Sequence, residues 1–331
     1  MKPFAYDRAS DVKSTVSGLD AAPGTKVLAG GTNLVDLMKL GVEQPDHLID
    51  VNELDLGGID VLDDGGIRIG AGVRNNDLAA DAIVRRRYPV LTQALVSAAS
   101  GQLRNLATTG GNLLQRTRCV YFMDVSKPCN KREPGTGCPA IEGLSRDLAI
   151  LGTSHECIAT HPGDMAVALT ALDAVVHFET VDGPSTLRIG DFYRLPGDAP
   201  EKDTNLPAGA LITAVEIPPL PFGGCSTYRK ARDRRSYAFA LASVAAAIDI
   251  EDGIVRDVRL AFGGVSHRPW RALAAEEAMR GTPATAENFE RAVELELAAA
   301  TPTAQNEFKV PLLTRLAVGT LIELTERGAD E

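Results

Sequence analysis

Four of the five cysteines in this 331-residue chain fall between positions 119 and 157, with spacings C-x9-C, C-x8-C and C-x18-C. Cys119, Cys129, Cys138 and Cys157 are therefore the first residues that could do chemistry as a group. Their separations are too wide for zinc-ribbon pairs or for the compact ferredoxin run, so spacing alone names no metal. Arg116, Arg118, Lys127, Lys131 and Arg132 crowd the same segment of a chain whose formal charge is -10, which favours something anionic held there. Pro134, Gly135 and Gly137 supply irregular backbone of the kind that wraps a cuboidal cluster. A four-thiolate [4Fe–4S] centre, a zinc site, and unlinked thiols or disulfides all stay open on these residues. His155 and His161 flank Cys157 and are expected to be structural; Cys225, outside the group, is expected to be a buried apolar residue.

A second constellation is built from glycine. Lys26-Val27-Leu28-Ala29 reads as a short buried strand, Gly30-Gly31-Thr32-Asn33 as a turn, and Leu34 to Lys39 as a helix start. Thr108-Thr109-Gly110-Gly111-Asn112 repeats the turn's character. Glycine lets backbone N–H groups approach a diphosphate closely, and two such turns could converge on one diphosphate, with Thr and Asn adding hydrogen bonds. A single Gly-Gly taken alone is equally a tight strand–helix connection. Gly70-Ala71-Gly72 is not a dinucleotide fingerprint, because Asn75 stands where G-x-G-x-x-G needs its third glycine. Farther on, Tyr228, Lys230, Arg232, Arg234 and Arg235 make a basic stretch. The arginines fit a solvated strand edge, whereas Lys230 could lie near a flavin ring and stabilise its reduced, anionic form.

The elements that must position these residues follow from periodicity. Strands are expected at 47–51, 67–71, 174–181 and 210–217, and helices at 76–84, 88–99 and 164–172. Arg85-Arg86-Arg87 ends the first of these helices, where cations complement the dipole. Pro218 to Gly224 is the clearest linker, with three prolines and two glycines. Beyond it, strands 242–250 and 254–263 flank Glu251-Asp252-Gly253, a hairpin signal, and helices are expected near 270–280, 285–300 and 308–327. The acidic balance argues against nucleic acid or a membrane surface as partner. No apolar run approaches the ~20 residues of a spanning helix. Met1 to Arg8 has no export-type hydrophobic region, so cytoplasmic folding is expected.

Together, Ala29-Gly30-Gly31-Thr32-Asn33, Thr108-Thr109-Gly110-Gly111-Asn112, Asp164 and Tyr228-Arg229-Lys230 resemble the FAD-binding subunit of the molybdenum hydroxylases, the xanthine dehydrogenase and aldehyde oxidoreductase group. The resemblance spans nearly the whole chain. It implies an α+β fold: a two-lobed FAD-binding domain of the PCMH/VAO type over residues 1–222, then a C-terminal α+β domain of the CO dehydrogenase flavoprotein type over 223–331. In most of that family the segment from the second Gly-Gly-Asn to the matching Pro-x-Asp is short. Here an insertion at about 113–160 separates Asn112 from Asp164 and holds all four clustered cysteines. That departure resembles the flavoprotein subunit of bacterial periplasmic-type aldehyde oxidoreductases, which carry an additional [4Fe–4S] cluster at this place.

Carried over by position, the resemblance implies that FAD contacts Lys26, Leu28, Ala29, Gly30, Gly31, Thr32, Asn33 and Leu34 in the first turn and Thr108, Gly110, Gly111 and Asn112 in the second. It gives Asp164 to the ribityl or ribose hydroxyls, Lys230 to the isoalloxazine, and Cys119, Cys129, Cys138 and Cys157 to the cluster. The implied function is electron relay: a molybdenum-cofactor subunit oxidises an aldehyde to the acid, a [2Fe–2S] subunit passes the electrons, and this subunit's FAD delivers them to an external acceptor. Ser236-Tyr237-Ala238 stands where the family often has an acidic residue, so acceptor specificity does not carry over. Alternatives are the flavoprotein of a xanthine or aromatic CoA-ester hydroxylase, a zinc-binding scaffold that is no enzyme, and a self-sufficient flavin oxidase. The resemblance also allows a periplasmic location through co-export with a signal-bearing partner.

Overall fold

The computed structural model describes residues 1–329. Three sheets carry the chain, and mixed helices pack between them. The first sheet is parallel, with His47–Asp50 central between Ala5–Arg8 and Thr25–Leu28. Parallel neighbours need crossovers, and helices Val12–Ala21 and Leu34–Leu40 provide them. Asp11 starts the first by accepting from the Ser14 N–H at 2.7 Å. Thr25–Leu28 is only half-buried, not the buried strand expected at 26–29, because it is a sheet edge. Lys26, Val27 and Ala29 face a cavity there.

The second sheet is antiparallel, in the order Ile59–Val61, Ile67–Gly70, Leu211–Ile217, Val175–Thr180, Gly183–Arg188. Leu211–Ile217 inserts between strands from distant parts of the sequence, pairing Ile67 with Ile217 and Val175 with Glu216. Helix Asp164–Ala171 is buried at all eight positions and packs with Pro89–Ser97 in the same apolar core. The helix expected at 76–84 is two helices, Asn75–Ala80 and Ala82–Arg87. Asp81 breaks it, because its carboxylate accepts the Ile83 and Val84 N–H groups at 2.9 Å and so caps a new helix.

The third sheet, also antiparallel, runs Trp270–Arg271, Ile254–Gly263, Ala242–Glu251, Ser226–Ala231. Its hairpin turns at Asp252 (φ 53°) and Gly253 (φ 76°), the left-handed pair that a two-residue turn between twisted strands requires. Helices Leu273–Met279, Ala286–Leu297 and Lys309–Ala329 cover this sheet. The first starts later than 270 because Trp270 and Arg271 pair with Phe262 and Ala261.

Segment 113–160 has little regular structure beyond the short helix Val120–Met123. Side chains fasten it on two sides. Arg118 pairs with Asp36 at 2.8 Å in the first part of the chain. In the last part, Arg146 bridges Asp233 with two bonds of 2.9 Å, and the buried Lys309 ammonium donates to the Leu148 and Gly264 carbonyls.

Candidate functional site

A cavity of about 1220 Å³ runs between the parallel sheet, the second sheet and segment 232–239. Both glycine segments open on it. They meet because glycine allows backbone to touch backbone: a Cβ on Gly30 would fall 2.0 Å from the Leu106 carbonyl oxygen. Gly31 then takes φ 69°, a left-handed conformation that costs other residues. The second segment is not the turn expected from sequence. Thr109–Leu113 forms a short helix whose cap is Thr108, with Oγ1 accepting the Gly111 N–H at 3.2 Å. Two adjacent glycines point to a turn, but the Thr108 cap offsets their low helix propensity.

Of the predicted FAD residues, Lys26, Ala29 to Leu34, Thr108, Gly110 to Asn112, Asp164 and Lys230 all line this cavity. Leu28 is not among its lining residues; its carbonyl accepts the Val51 N–H instead. The wall fits a dinucleotide in its donor chemistry. Asn33 Oδ1 accepts the Arg116 N–H at 3.0 Å, which turns its amide nitrogen the other way, and that nitrogen is a buried donor with no protein partner. A shallow groove along Arg68, His177 and Glu179 contains none of the predicted residues.

Asp164, at the start of its helix, is buried and has protein partners of its own. Tyr228 Oη donates to Oδ1 at 2.5 Å and Lys230 Nζ to Oδ2 at 2.8 Å. Strand Ser226–Ala231 brings both donors, and Gln93 fixes that strand by accepting from Thr227 Oγ1 and the Tyr228 N–H. The expected bare cation beside a flavin is thus one half of an ion pair, because Lys230 is almost fully buried and needs a counter-charge. Each Asp164 oxygen still has a second lone pair for a hydroxyl. Burial, with Asp164 beside it, pushes the Tyr228 phenol well above its ordinary pKa, so it is a permanent donor.

The four clustered cysteines line a second, smaller pocket together with Lys131 and Asn130. None of the four is joined in a disulfide; Cys119, Cys129 and Cys157 are buried and Cys138 is half-buried. Cys138 and Cys157 share a hydrogen bond that lowers the Cys138 thiol to about 6 and raises Cys157, where burial adds to the effect. Burial also raises Cys119. Among the described residues no three His, Cys, Asp or Glu side chains are placed to hold a single metal ion. The donor set, four thiols around one enclosed pocket, fits a soft metal group that presents several metal atoms.

The basic residues around this pocket are mostly committed elsewhere, which corrects the expectation that they jointly attract an anion. Arg116 pairs with Glu43 at 2.7 Å and with Asp203 at 2.9 Å. Arg132 donates to the Tyr121, Phe122 and Lys127 carbonyls. Lys131 alone of the five lines the cysteine pocket, and its buried ammonium pairs with Asp203 and donates to the Pro200 carbonyl at 2.6 Å. The carboxylates won because buried cations need fixed partners.

Asp203 lies in the cavity wall, and no local signal marks it in the sequence. Burial alone would raise its carboxyl, but the Lys131 and Arg116 charges outweigh that and hold it at about 2. His267 lies 3.7 Å from it and is uncharged, since burial lowers the imidazole to about 3. His161 lies in the same cavity wall: burial takes its imidazole to about 4, its ring meets Tyr193 edge-on at 4.6 Å, Nδ1 accepts the Gly163 N–H, and Nε2 is buried with no protein partner.

Residues 2–220 match the FAD binding domain in molybdopterin dehydrogenase, and residues 226–324 match the CO dehydrogenase flavoprotein C-terminal domain. The chain belongs to the FAD-binding subunits of the molybdenum hydroxylases. This molybdenum hydroxylase subunit is 53% identical over 325 residues to the aldehyde oxidoreductase FAD-binding subunit PaoB of Escherichia coli, covering 98% of each chain. It is 29% identical to the glyceraldehyde dehydrogenase medium chain of Sulfolobus acidocaldarius, covering 84% of this chain and 81% of that one. Its fold matches carbon monoxide dehydrogenase from Hydrogenophaga pseudoflava with a TM-score of 0.75, 25% identity and 99% coverage of both chains. The α+β fold, the FAD-binding domain and the oxidoreductase class expected from the sequence are therefore those of the molybdenum hydroxylase flavoproteins. No helix of the described residues is long and apolar enough to cross a membrane.

Proposed function

We propose that this subunit is the FAD-bearing electron-transfer component of a heteromeric, molybdenum-dependent aldehyde oxidoreductase, and that Cys119, Cys129, Cys138 and Cys157 hold a [4Fe–4S] cluster. Its partners on this reading are a [2Fe–2S] subunit, a molybdenum-cofactor subunit and an external electron acceptor. The observation that carries it is the pairing of two sites: a dinucleotide cavity lined by both glycine segments, and a four-thiol pocket joined to it through Lys131 and Asp203. The 53% identity to an aldehyde oxidoreductase subunit supports the aldehyde as substrate of the complex.

When bound, FAD and the cluster supply redox centres that accept and release electrons. The chain's own residues do the positioning. The first glycine segment would present backbone N–H groups to the diphosphate and Asn33 would add its unpartnered amide nitrogen, whereas in the second segment the N–H groups of Thr109 to Asn112 are already bonded to Val73, Ala71 and Thr108, so its contribution would be the Thr108 hydroxyl. Lys230 and Tyr228 hold Asp164 in place without adding net charge beyond that pair.

The test uses the full chain purified anaerobically. It should show flavin absorption plus a broad iron–sulfur band, with iron and sulfide in equal amounts, and Cys129→Ser should remove the band while the variant, saturated with added FAD, still binds flavin. Colourless protein with stoichiometric zinc would sink the proposal. Reduction of the flavin by an aldehyde with no partner present would count against a relay role and favour a self-sufficient oxidase.

A further inference from the structure

We propose that Asp203 couples the two sites, so that filling the cysteine pocket tightens FAD binding; this rests on the cluster proposed above. The path is a series of direct contacts. Lys131, in the pocket wall, pairs with Asp203 Oδ1. Arg116 Nε donates to Asp203 Oδ2 at 2.9 Å, and the Arg116 main-chain N–H donates to Asn33 Oδ1 at 3.0 Å. Asn33 belongs to the first glycine turn of the FAD cavity. Four residues thus run by direct contacts from the wall of the cysteine pocket to the first glycine turn.

The path transmits because its members cannot relax independently. The Lys131 side chain is 1% exposed, so it stays at Asp203 only while the loop from Cys129 to Cys138 keeps its shape. The same loop makes its turns at Gly135 (φ 85°) and Gly137 (φ 100°) and is tied by Asn130, whose Oδ1 accepts the Gly137 N–H and whose Nδ2 donates to Glu156; a group bound to the four thiols would add a tie at both ends of the loop. If Lys131 shifts, Asp203 loses one of its two cationic partners, and the neutral His267 beside it cannot replace the charge. Arg116 is then the one charged cation left on Asp203, so a shift of that carboxylate pulls on Arg116, whose main-chain N–H orients Asn33. By reciprocity FAD must steady the cysteine pocket by the same factor. Asp203 is a positioning residue in this scheme and takes no part in electron transfer itself.

The experiment measures the FAD dissociation constant of the full chain by flavin fluorescence, before and after iron is removed by oxidation and chelation. In the native chain iron removal should weaken FAD binding about tenfold. In Asp203→Asn and in Lys131→Met the iron-loaded and iron-free forms should bind FAD with equal affinity. A merely structural role would lower the melting temperature and leave the tenfold ratio intact. Unchanged affinity in the native chain on iron removal, or a full tenfold ratio in both variants, overturns the proposal. The native-chain arm decides even if a variant does not fold. Iron present without linkage overturns this coupling alone, whereas a native chain that never carries iron and sulfide overturns the cluster and the coupling together.

Discussion

At the scale of single residues, the site is governed by how each buried charge is matched. Lys230 and Asp164 are both almost fully buried, and each is the other's counter-charge. Asp164→Asn leaves an ammonium without a compensating charge, so stability should fall by about 3 kcal/mol. Tyr228→Phe removes one hydrogen bond to a charged group and should cost less, about 2 kcal/mol. Urea denaturation of the two variants checks the order, and a Tyr228→Phe loss larger than that of Asp164→Asn would show that the ion pair is not the main tie. Flavin content should fall in both, because Asp164, which Tyr228 holds in place, lines the cavity proposed for FAD. The five basic residues of the cysteine segment teach the same rule from the other side. Their crowding reads in sequence as an anion site, yet carboxylates 70 or more residues away claim Arg116, Arg118 and Lys131.

At the scale of elements, two short segments touch where they wall the cavity proposed for FAD. Gly30 lies so near Leu106 that the methyl group of Gly30→Ala would fall 2.0 Å from a carbonyl oxygen, far inside contact distance. That substitution should push the first glycine turn away from Leu106, which leads into helix Thr109–Leu113, and raise the FAD dissociation constant tenfold or more, measured by flavin fluorescence; unchanged binding would mean that the two segments need not meet. Asp81→Ala is the contrasting case. It removes the cap of helix Ala82–Arg87 and should cost about 1 kcal/mol in a denaturation experiment, with bound flavin unaltered, because that helix does not line the cavity.

For the whole molecule, the buried wall between the two sites makes acid a specific threat. The His161 and His267 imidazoles have folded pKa values of about 4 and about 3, below the ordinary 6.5. Between those values the unfolded chain binds protons that the folded chain does not, so stability is complete above about pH 6.5 and is lost as pH falls toward 3. Asp203, held at about 2, adds a second loss between about pH 4 and 2, of order 1 kcal/mol once its 31% exposure is allowed for. Melting temperature against pH should therefore begin to fall near pH 6.5, well above the carboxylate range, and His267→Gln should flatten that upper limb. A native curve that stays level down to pH 4.5 would refute the buried-imidazole account.

Much of the fold was written in local pattern. The Asp252-Gly253 hairpin, the buried helix from Asp164 and the strand Leu211–Ile217 follow from turn chemistry and apolar periodicity, because those signals depend only on neighbours in sequence. The glycine turns, Lys230 and the four cysteines were legible as chemistry for the same reason: residue type and spacing restrict what they can do. What the sequence could not decide is where charge ends up. Asp203 carries no motif, and its partners Arg116 and Lys131 lie 87 and 72 positions away, so only the closed tertiary structure puts it in the wall of one cavity and, through Lys131, beside the other. The break at Asp81 and the short helix after Thr108 were likewise settled by caps, each a single side chain outweighing the periodicity around it. Sequence alone determined which groups were available for binding and redox chemistry. Tertiary structure decided which were already spoken for, because a buried charge takes the nearest opposite charge in space, whatever its distance along the chain.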